Sequence, residues 1–324
     1  MAAFEQPQIG ESQPGSHGRT SSEVLLTVVR SRGGRRTHLS ACLVIAIVLA
    51  YQMATSGAII AAPQGRLVRL IRTTPFTNKP VSMKDAEGSA YVPRDHSLWL
   101  ADDYGRRIYE VNPSTGALKR VIGQKKLASA RRLGGGTKAG IDRTRDLESI
   151  AYDRVRDALY VFSGPCCSSS VKPAAFRLTR TPAGRLRVES FQPLPGSANF
   201  TAAAWNAGNR TIYVGQGRDL RAYRYRTNHL GRPVHVPNLS GITGMSFSPN
   251  GASLFVTTSD EQLLRVRWPR KELVAGWVLE LAAFGVGDAR AVELIDWRYF
   301  VLDGNPARPD TDPRKYAVYV FRMS

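Results

Sequence analysis

From residue 66 to the C-terminus, short apolar runs alternate with polar turns, and no stretch carries the i, i+3, i+4 spacing of an amphipathic helix. The runs come in groups. Residues 89–92, 98–101, 108–111 and 118–122 read as four strands, separated by turns such as Asn112-Pro113-Ser114-Thr115-Gly116. A second group covers 149–152, 158–162, 175–178 and 186–189, a third 202–205, 211–214, 220–225 and 234–236, and a fourth 244–247, 253–256, 263–266 and 273–279. The last has only three strands, at 292–295, 299–302 and 316–321. A four-strand unit recurring at roughly 40 to 60 residues is the mark of a β-propeller. One unclaimed apolar run, 67–71, lies at the other end of the region and supplies the strand the last group lacks. That pairing closes the ring, whereas an open propeller would expose strand edges that template aggregation. The expected fold is all-β: a single propeller of four-stranded blades over residues 66–324, with five blades counted and six the alternative if residues 119–145 hold strands.

The region ahead of the propeller reads as an address. Residues 1–36 are a disordered or over-long start that ends in an n-region bearing Arg30, Arg32, Arg35 and Arg36. Residues 37–65 carry no acidic or basic side chain apart from His38, and read as a signal peptide or a membrane anchor. The core run 43–50 is short for a span, but the apolar stretch 39–62 reaches the roughly 20 residues a bilayer requires. Cleavage near residues 54–57 and retention as an anchor share one topology, with the arginine flank in the cytoplasm. Arg35-Arg36-Thr37-His38-Leu39 resembles a twin-arginine export signal, with His38 where that motif favours Phe. Residues 39–42 look like a lipobox but precede the apolar run, so lipidation at Cys42 is rejected. The expected location is extracytoplasmic, secreted or anchored to the cytoplasmic membrane.

Composition narrows the class without naming a function. With 43% hydrophobic and 22% charged residues, wholesale disorder and fibrous folds are excluded, and three cysteines exclude a disulfide scaffold or a four-cysteine zinc site. The formal net charge of +19 comes from 36 Arg and 9 Lys. Such a surplus can neutralise phosphates. Its dominance by arginine in every segment is what GC-rich coding produces, which argues against nucleic acid and leaves an anionic small molecule or cell-envelope polymer as the partner class. The densest stretch, 119–145, holds nine basic residues against Asp142, and Gly134-Gly135-Gly136 predicts a flexible insertion. The neighbours Cys166 and Cys167 are expected either as a vicinal disulfide or as two free thiols.

Candidate chemistry follows from the geometry of a propeller, in which loops leading into the innermost strands share one face with loops joining strands two and three. Asp85 and Glu87 begin the first inner strand, and Asp146 and Glu148 the second, so these four carboxylates are expected to meet at one mouth of the channel. Asn199, Thr201 and Thr243 hold corresponding positions in the next blades, and Asp102 and Asp103 sit on the adjoining loop of the first. Such a ring of oxygens suits Ca²⁺, which accepts six to eight oxygen ligands in loose geometry. Without a cation the acids would raise one another's pKa. The other reading has them capping backbone amides or pairing with arginines such as Arg106 and Arg145.

Three stretches carry a resemblance: Asp85-x-Glu87-Gly88-x-Ala90-Tyr91, then Leu98-Trp99-x-Ala101-Asp102-Asp103, then Asp146-x-Glu148-x-Ile150-Ala151-Tyr152. Over about residues 85–163 the chain resembles the SdiA-regulated and phytase-esterase-like propellers, relatives of NHL-repeat and gluconolactonase-type proteins. The resemblance implies six blades and a divalent cation bound by a glutamate at the start of an inner strand, here Glu87 or Glu148. The histidine bases of lactonase-type relatives have no counterpart, since His96 falls on an underside turn and His229 and His235 flank the third blade's last strand. The expected function is binding of a ligand or surface polymer at the top face through calcium. The alternatives are a metal-dependent hydrolase of esters, lactones or phosphoesters, and a scaffold for protein partners. The sequence defines no catalytic set and leaves the oligomeric state open.

Overall fold

The computed structural model describes residues 59–61, 67–74, 85–165, 172–195, 197–304, 309, 312 and 316–323. Contacts divide the chain after Gln52, and the unit from Met53 onward holds all of these. The core run 43–50 and the cysteines Cys166 and Cys167 lie outside the described residues. No helix among those described is long and apolar enough to cross a membrane.

Five antiparallel sheets form a five-bladed β-propeller. Blade 1 comprises Ala86–Val92, Ser97–Asp102, Arg107–Val111 and Leu118–Gly123, from the inside outward. Blade 2 follows with Leu147–Asp153, Ala158–Ser163, Ala174–Arg180 and Leu186–Pro193. Blade 3 has Ala202–Asn206, Thr211–Gln216 and Asp219–Arg224, and its outer edge is split into His229–Leu230 and Val234–His235. Blade 4 has Ile242–Phe247, Ser253–Thr258, Gln262–Arg267 and Glu272–Glu280. Blade 5 is built from both ends of the propeller: Ala289–Ile295, Arg298–Asp303 and Val318–Met323 pair outward onto Leu67–Thr74, as the unclaimed run required. Ile59–Ala61, which falls in the segment assigned to the signal or anchor, adds a short outermost strand to this blade. The inner strand of each blade packs on that of the next, and the fifth on the first, so the ring is closed.

The six-blade alternative is overturned. Residues 119–145 add no blade: they form the end of Leu118–Gly123, a short helix Gln124–Ala128 and the two-residue strand Arg131–Arg132, which pairs in parallel on the outer edge of blade 2. The glycines at 134–136 all adopt positive φ and turn the chain back so that Arg131 bridges Lys138.

The strands read as continuous apolar runs because each blade is covered on both faces. On Ser97–Asp102, Leu98 and Leu100 point into the core shared with blade 5, whereas Trp99 and Ala101 point into the core shared with blade 2. Each of the five junctions has its own cluster in this way. Replacing a side chain of this kind, such as Leu100, with alanine costs about 2–5 kcal/mol.

A polar tether crosses the underside of the first junction. Arg180 on blade 2 reaches Asp157 Oδ2 at 2.6 Å and Asp95 Oδ1 at 3.0 Å, the latter on the blade 1 turn. The guanidinium hydrogen bond, set against partial burial, holds the Asp157 carboxyl below its usual range. Arg180→Ala takes its ion pair from Asp95 and leaves Asp157 with the exposed Arg94 and the Tyr152 hydroxyl, and is expected to cost about 2 kcal/mol in urea denaturation. Arg180→Lys should restore less than half of that, because an ammonium cannot fork between two acids.

Candidate functional site

The start of each inner strand places two residues at the upper mouth of the channel, spaced i and i+2 so that both face the same way. The upper tier is Asp85, Asp146, Asn199, Gly241 and Asp288, and the lower tier is Glu87, Glu148, Thr201, Thr243 and Arg290. Loops between strands two and three close over this mouth, as the repeating backbone bonds show. Asp103 N donates to Asp85 O, Gly164 N to Asp146 O, Ser259 N to Gly241 O and Gly304 N to Asp288 O, at 2.8–2.9 Å.

The lower tier stitches blade to blade. Ser149 Oγ donates to Phe200 O at 2.6 Å, Thr201 Oγ1 to Ile242 O at 2.5 Å and Thr243 Oγ1 to Ala289 O at 2.5 Å. Arg290 Nη1 then meets Glu87 Oε2 at 2.8 Å, joining the fifth blade to the first. Thr201 and Thr243, expected as ligand contacts, therefore use their hydroxyl protons to hold the ring. Asp102, expected likewise, is fully buried and structural: it accepts from Tyr109 Oη at 3.0 Å, Gly105 N at 2.9 Å and Asp85 N at 3.1 Å.

The proposed quartet of acids is divided rather than shared. Glu87 is claimed by Arg290, which also holds Asp288 through Nε at 2.8 Å. On the other side, Asp103, Asp146 and Glu148 hydrogen-bond one another carboxyl to carboxyl, Asp146 being the common partner. Burial, reinforced by Asp146 and Glu87, pushes Glu148 up to about 9, and burial with Asp146 pushes Asp103 up to about 8. Burial also raises Glu87 to about 8 and Asp85 to about 6, in both cases against the pull of Arg290. Glu87 and Glu148 feel each other's charge across the first junction, as the ring geometry required.

One point in the mouth gathers oxygen. A Cβ on Gly164 would lie closer than 3.0 Å to Asn199 Oδ1, Asp146 Oδ2 and Glu148 Oε1 together. Only a glycine fits here, because these three oxygens crowd together over its Cα. Asn199 Oδ1 is buried there without a hydrogen-bond partner among the described residues. No group of three or more His, Cys, Asp and Glu side chains among those residues is arranged to hold a metal ion, and the trio at Gly164 is completed by an amide instead.

Asp288 and Arg290 also belong to this mouth, although no acidic pattern singles them out. Asp288-Ala289-Arg290 repeats the spacing of Asp85-Ala86-Glu87 and Asp146-Leu147-Glu148, but the fifth copy carries a base where the first two carry an acid.

The fold is shared with a known enzyme. Glutaminyl cyclase of Myxococcus xanthus superposes with a TM-score of 0.56 at 12% identity, over 80% of this chain and 97% of that one. A Xanthomonas campestris gluconolactonase gives a TM-score of 0.49 at 13% identity, over 83% of this chain and 95% of that one. A luciferin-regenerating enzyme gives 0.46 at 12% identity, over 80% and 95%. No family model matches the chain, and no curated protein matches it by sequence. At these identities the likeness is one of fold.

Proposed function

We propose that this propeller binds a ligand at its upper mouth through a divalent cation of the calcium type, held by Asp146, Glu148 and Asn199. The convergence of those three oxygens on the space over Gly164 carries the reading. Two carboxylates and an amide are hard donors of the kind Ca²⁺ takes, and the remaining positions of such an ion are left to solvent and to ligand oxygens. An anionic small molecule or an anionic cell-envelope polymer is the matching ligand class, reached by a chain that is exported or anchored through its N-terminal segment. Arg290, paired with Glu87 and Asp288, stands at the same mouth.

A second reading, hydrolysis of an ester, lactone or phosphoester, rests on a different observation. Burial and the neighbouring Asp146 raise Glu148 and Asp103 toward the protonated form, which is what a general acid requires. Glutaminyl cyclase of Myxococcus xanthus, which shares the fold, is an enzyme, and this reading is compatible with that likeness.

Melting curves in EDTA and in calcium test the first reading. A hundredfold excess over Kd should raise the melting point by about 5–10 °C, and Glu148→Gln with Asn199→Ala should abolish the rise. A curve that calcium leaves unmoved removes the cation. Turnover of a panel of lactones, aryl esters and phosphoesters, lost in Glu148→Gln, would establish the second reading.

A further inference from the structure

The channel has a second mouth, and the waist separates it from the first. At the waist the inner strands nearly touch: a Cβ on Gly88 would stand 2.5 Å from Ser149 Cα, and Gly244 sits equally tightly on Ala291. Beneath the waist, the positions three residues after the lower tier are Ala90, Ala151, Ala204, Ser246 and Glu293. Four small side chains and one large acid leave a recess of about 40 Å³, room for an ammonium head group with the rest of a ligand outside it, and Glu293 occupies it from one side. Tyr91, Tyr152 and Trp205 line its wall, and exposed Arg154 lies at its rim.

Glu293 is poorly served by the protein. Its nearest side-chain partner is Ser246 Oγ at 3.5 Å, the Tyr91 backbone supplies a further bond, and Arg154 acts only at a distance. Burial pushes this carboxyl up to about 8 in the absence of a closer counter-ion. Trp205 Nε1 is buried with no partner among the described residues.

We propose that the underside recess binds a small ligand carrying an ammonium group, with Glu293 as its counter-ion and the faces of Tyr91, Tyr152 and Trp205 around it. A metal ion does not suit the place, because a single carboxylate faces it where a hard cation needs several oxygens. An organic ammonium ion does suit it, since aromatic faces attract cations and the carboxylate neutralises the charge. Arg154 at the rim would meet a carboxylate on the same molecule, so amino acids are the favoured members of the class. The recess shares no side chain with the cation site above the waist, and its occupation does not depend on that site.

Isothermal titration calorimetry on the full chain, in EDTA, tests this with L-alanine, L-leucine and L-phenylalanine against their N-acetyl forms. At least one amino acid should bind saturably, and N-acetylation, which removes the positive charge, should weaken it by about tenfold or more. Glu293→Gln should weaken binding by a similar factor, Arg154→Gln by less, and Glu148→Gln not at all. Absence of saturable binding by all three amino acids, or equal binding of the N-acetyl forms to the unaltered protein, overturns the proposal whatever the variants do. Equal binding by a folded Glu293→Gln protein overturns it too.

Discussion

Gly88→Ala will destabilise the propeller by at least about 3 kcal/mol, where the matched change Gly123→Ala will stay within about 0.5 kcal/mol. Neither glycine sits at positive φ, so the contrast is steric and not conformational. The added Cβ at Gly88 would meet Ser149 Cα at 2.5 Å, Glu148 O at 2.8 Å and Ile150 N at 3.1 Å, whereas at Gly123 it meets nothing within 4 Å. All three obstacles are backbone, which cannot rotate aside as a side chain would. Blade 1 must move away from blade 2, and the movement opens the core around Trp99, Ile150 and Phe176. Interiors packed at crystal density transmit such a shift rather than absorb it. Urea midpoints of the two variants, compared at equal m-values, decide the matter. A Gly88→Ala protein as stable as Gly123→Ala would mean that the inner strands stand further apart than described.

The second large effect is a stability that declines as pH rises. Asp103, Glu87 and Glu148 have folded-state pKa values of about 8, 8 and 9, all well above the ordinary carboxylate range they regain on unfolding. Between about pH 4.5 and pH 9 the folded protein therefore holds more protons than the unfolded chain, and raising the pH favours unfolding. The stabilisation is complete below the ordinary carboxylate range and is lost as pH passes through 8 to 9. In EDTA the fall should be on the order of 3 kcal/mol over pH 5 to 9, because the acids share protons and do not act independently. Glu148→Gln, which keeps the shape and removes one titration, should flatten the slope. Calcium should flatten it as well, since a bound cation takes over the neutralising role of the protons. Thermal melts at a series of pH values, with and without chelator, read both effects. A melting point that rises between pH 6 and 9 in EDTA would contradict the burial of these groups.

The architecture was legible because a propeller writes the same pattern five times. Apolar runs such as 98–101 and 253–256 were located closely, since strands covered on both faces tolerate few polar positions. The closing strand was legible from an accounting argument: three strands at one end and one left over at the other. The excursion at 119–145 was not, because its two-residue strand pairs for reasons of tertiary position that no local pattern records. At the mouth, the meeting of Glu87 with Glu148 followed from the ring alone. What each acid does there depended on partners the pattern could not assign. Arg290 takes Glu87 across 203 positions of sequence, and Asp102 turns inward to Tyr109 although its neighbour Asp103 joins the mouth. Alternation along a strand predicts facing, but a residue at the edge of a loop can turn either way.

The last blade carries a consequence for how the molecule is made. Strand Leu67–Thr74 emerges from the ribosome before blades 1 to 4, whereas its partner Val318–Met323 follows them. Four blades can assemble as translation proceeds, while Leu67–Thr74 waits with its inner edge unfilled. Completion is thus a single late event that depends on both extremities of the propeller, and any early product released before that moment is a ring that cannot shut.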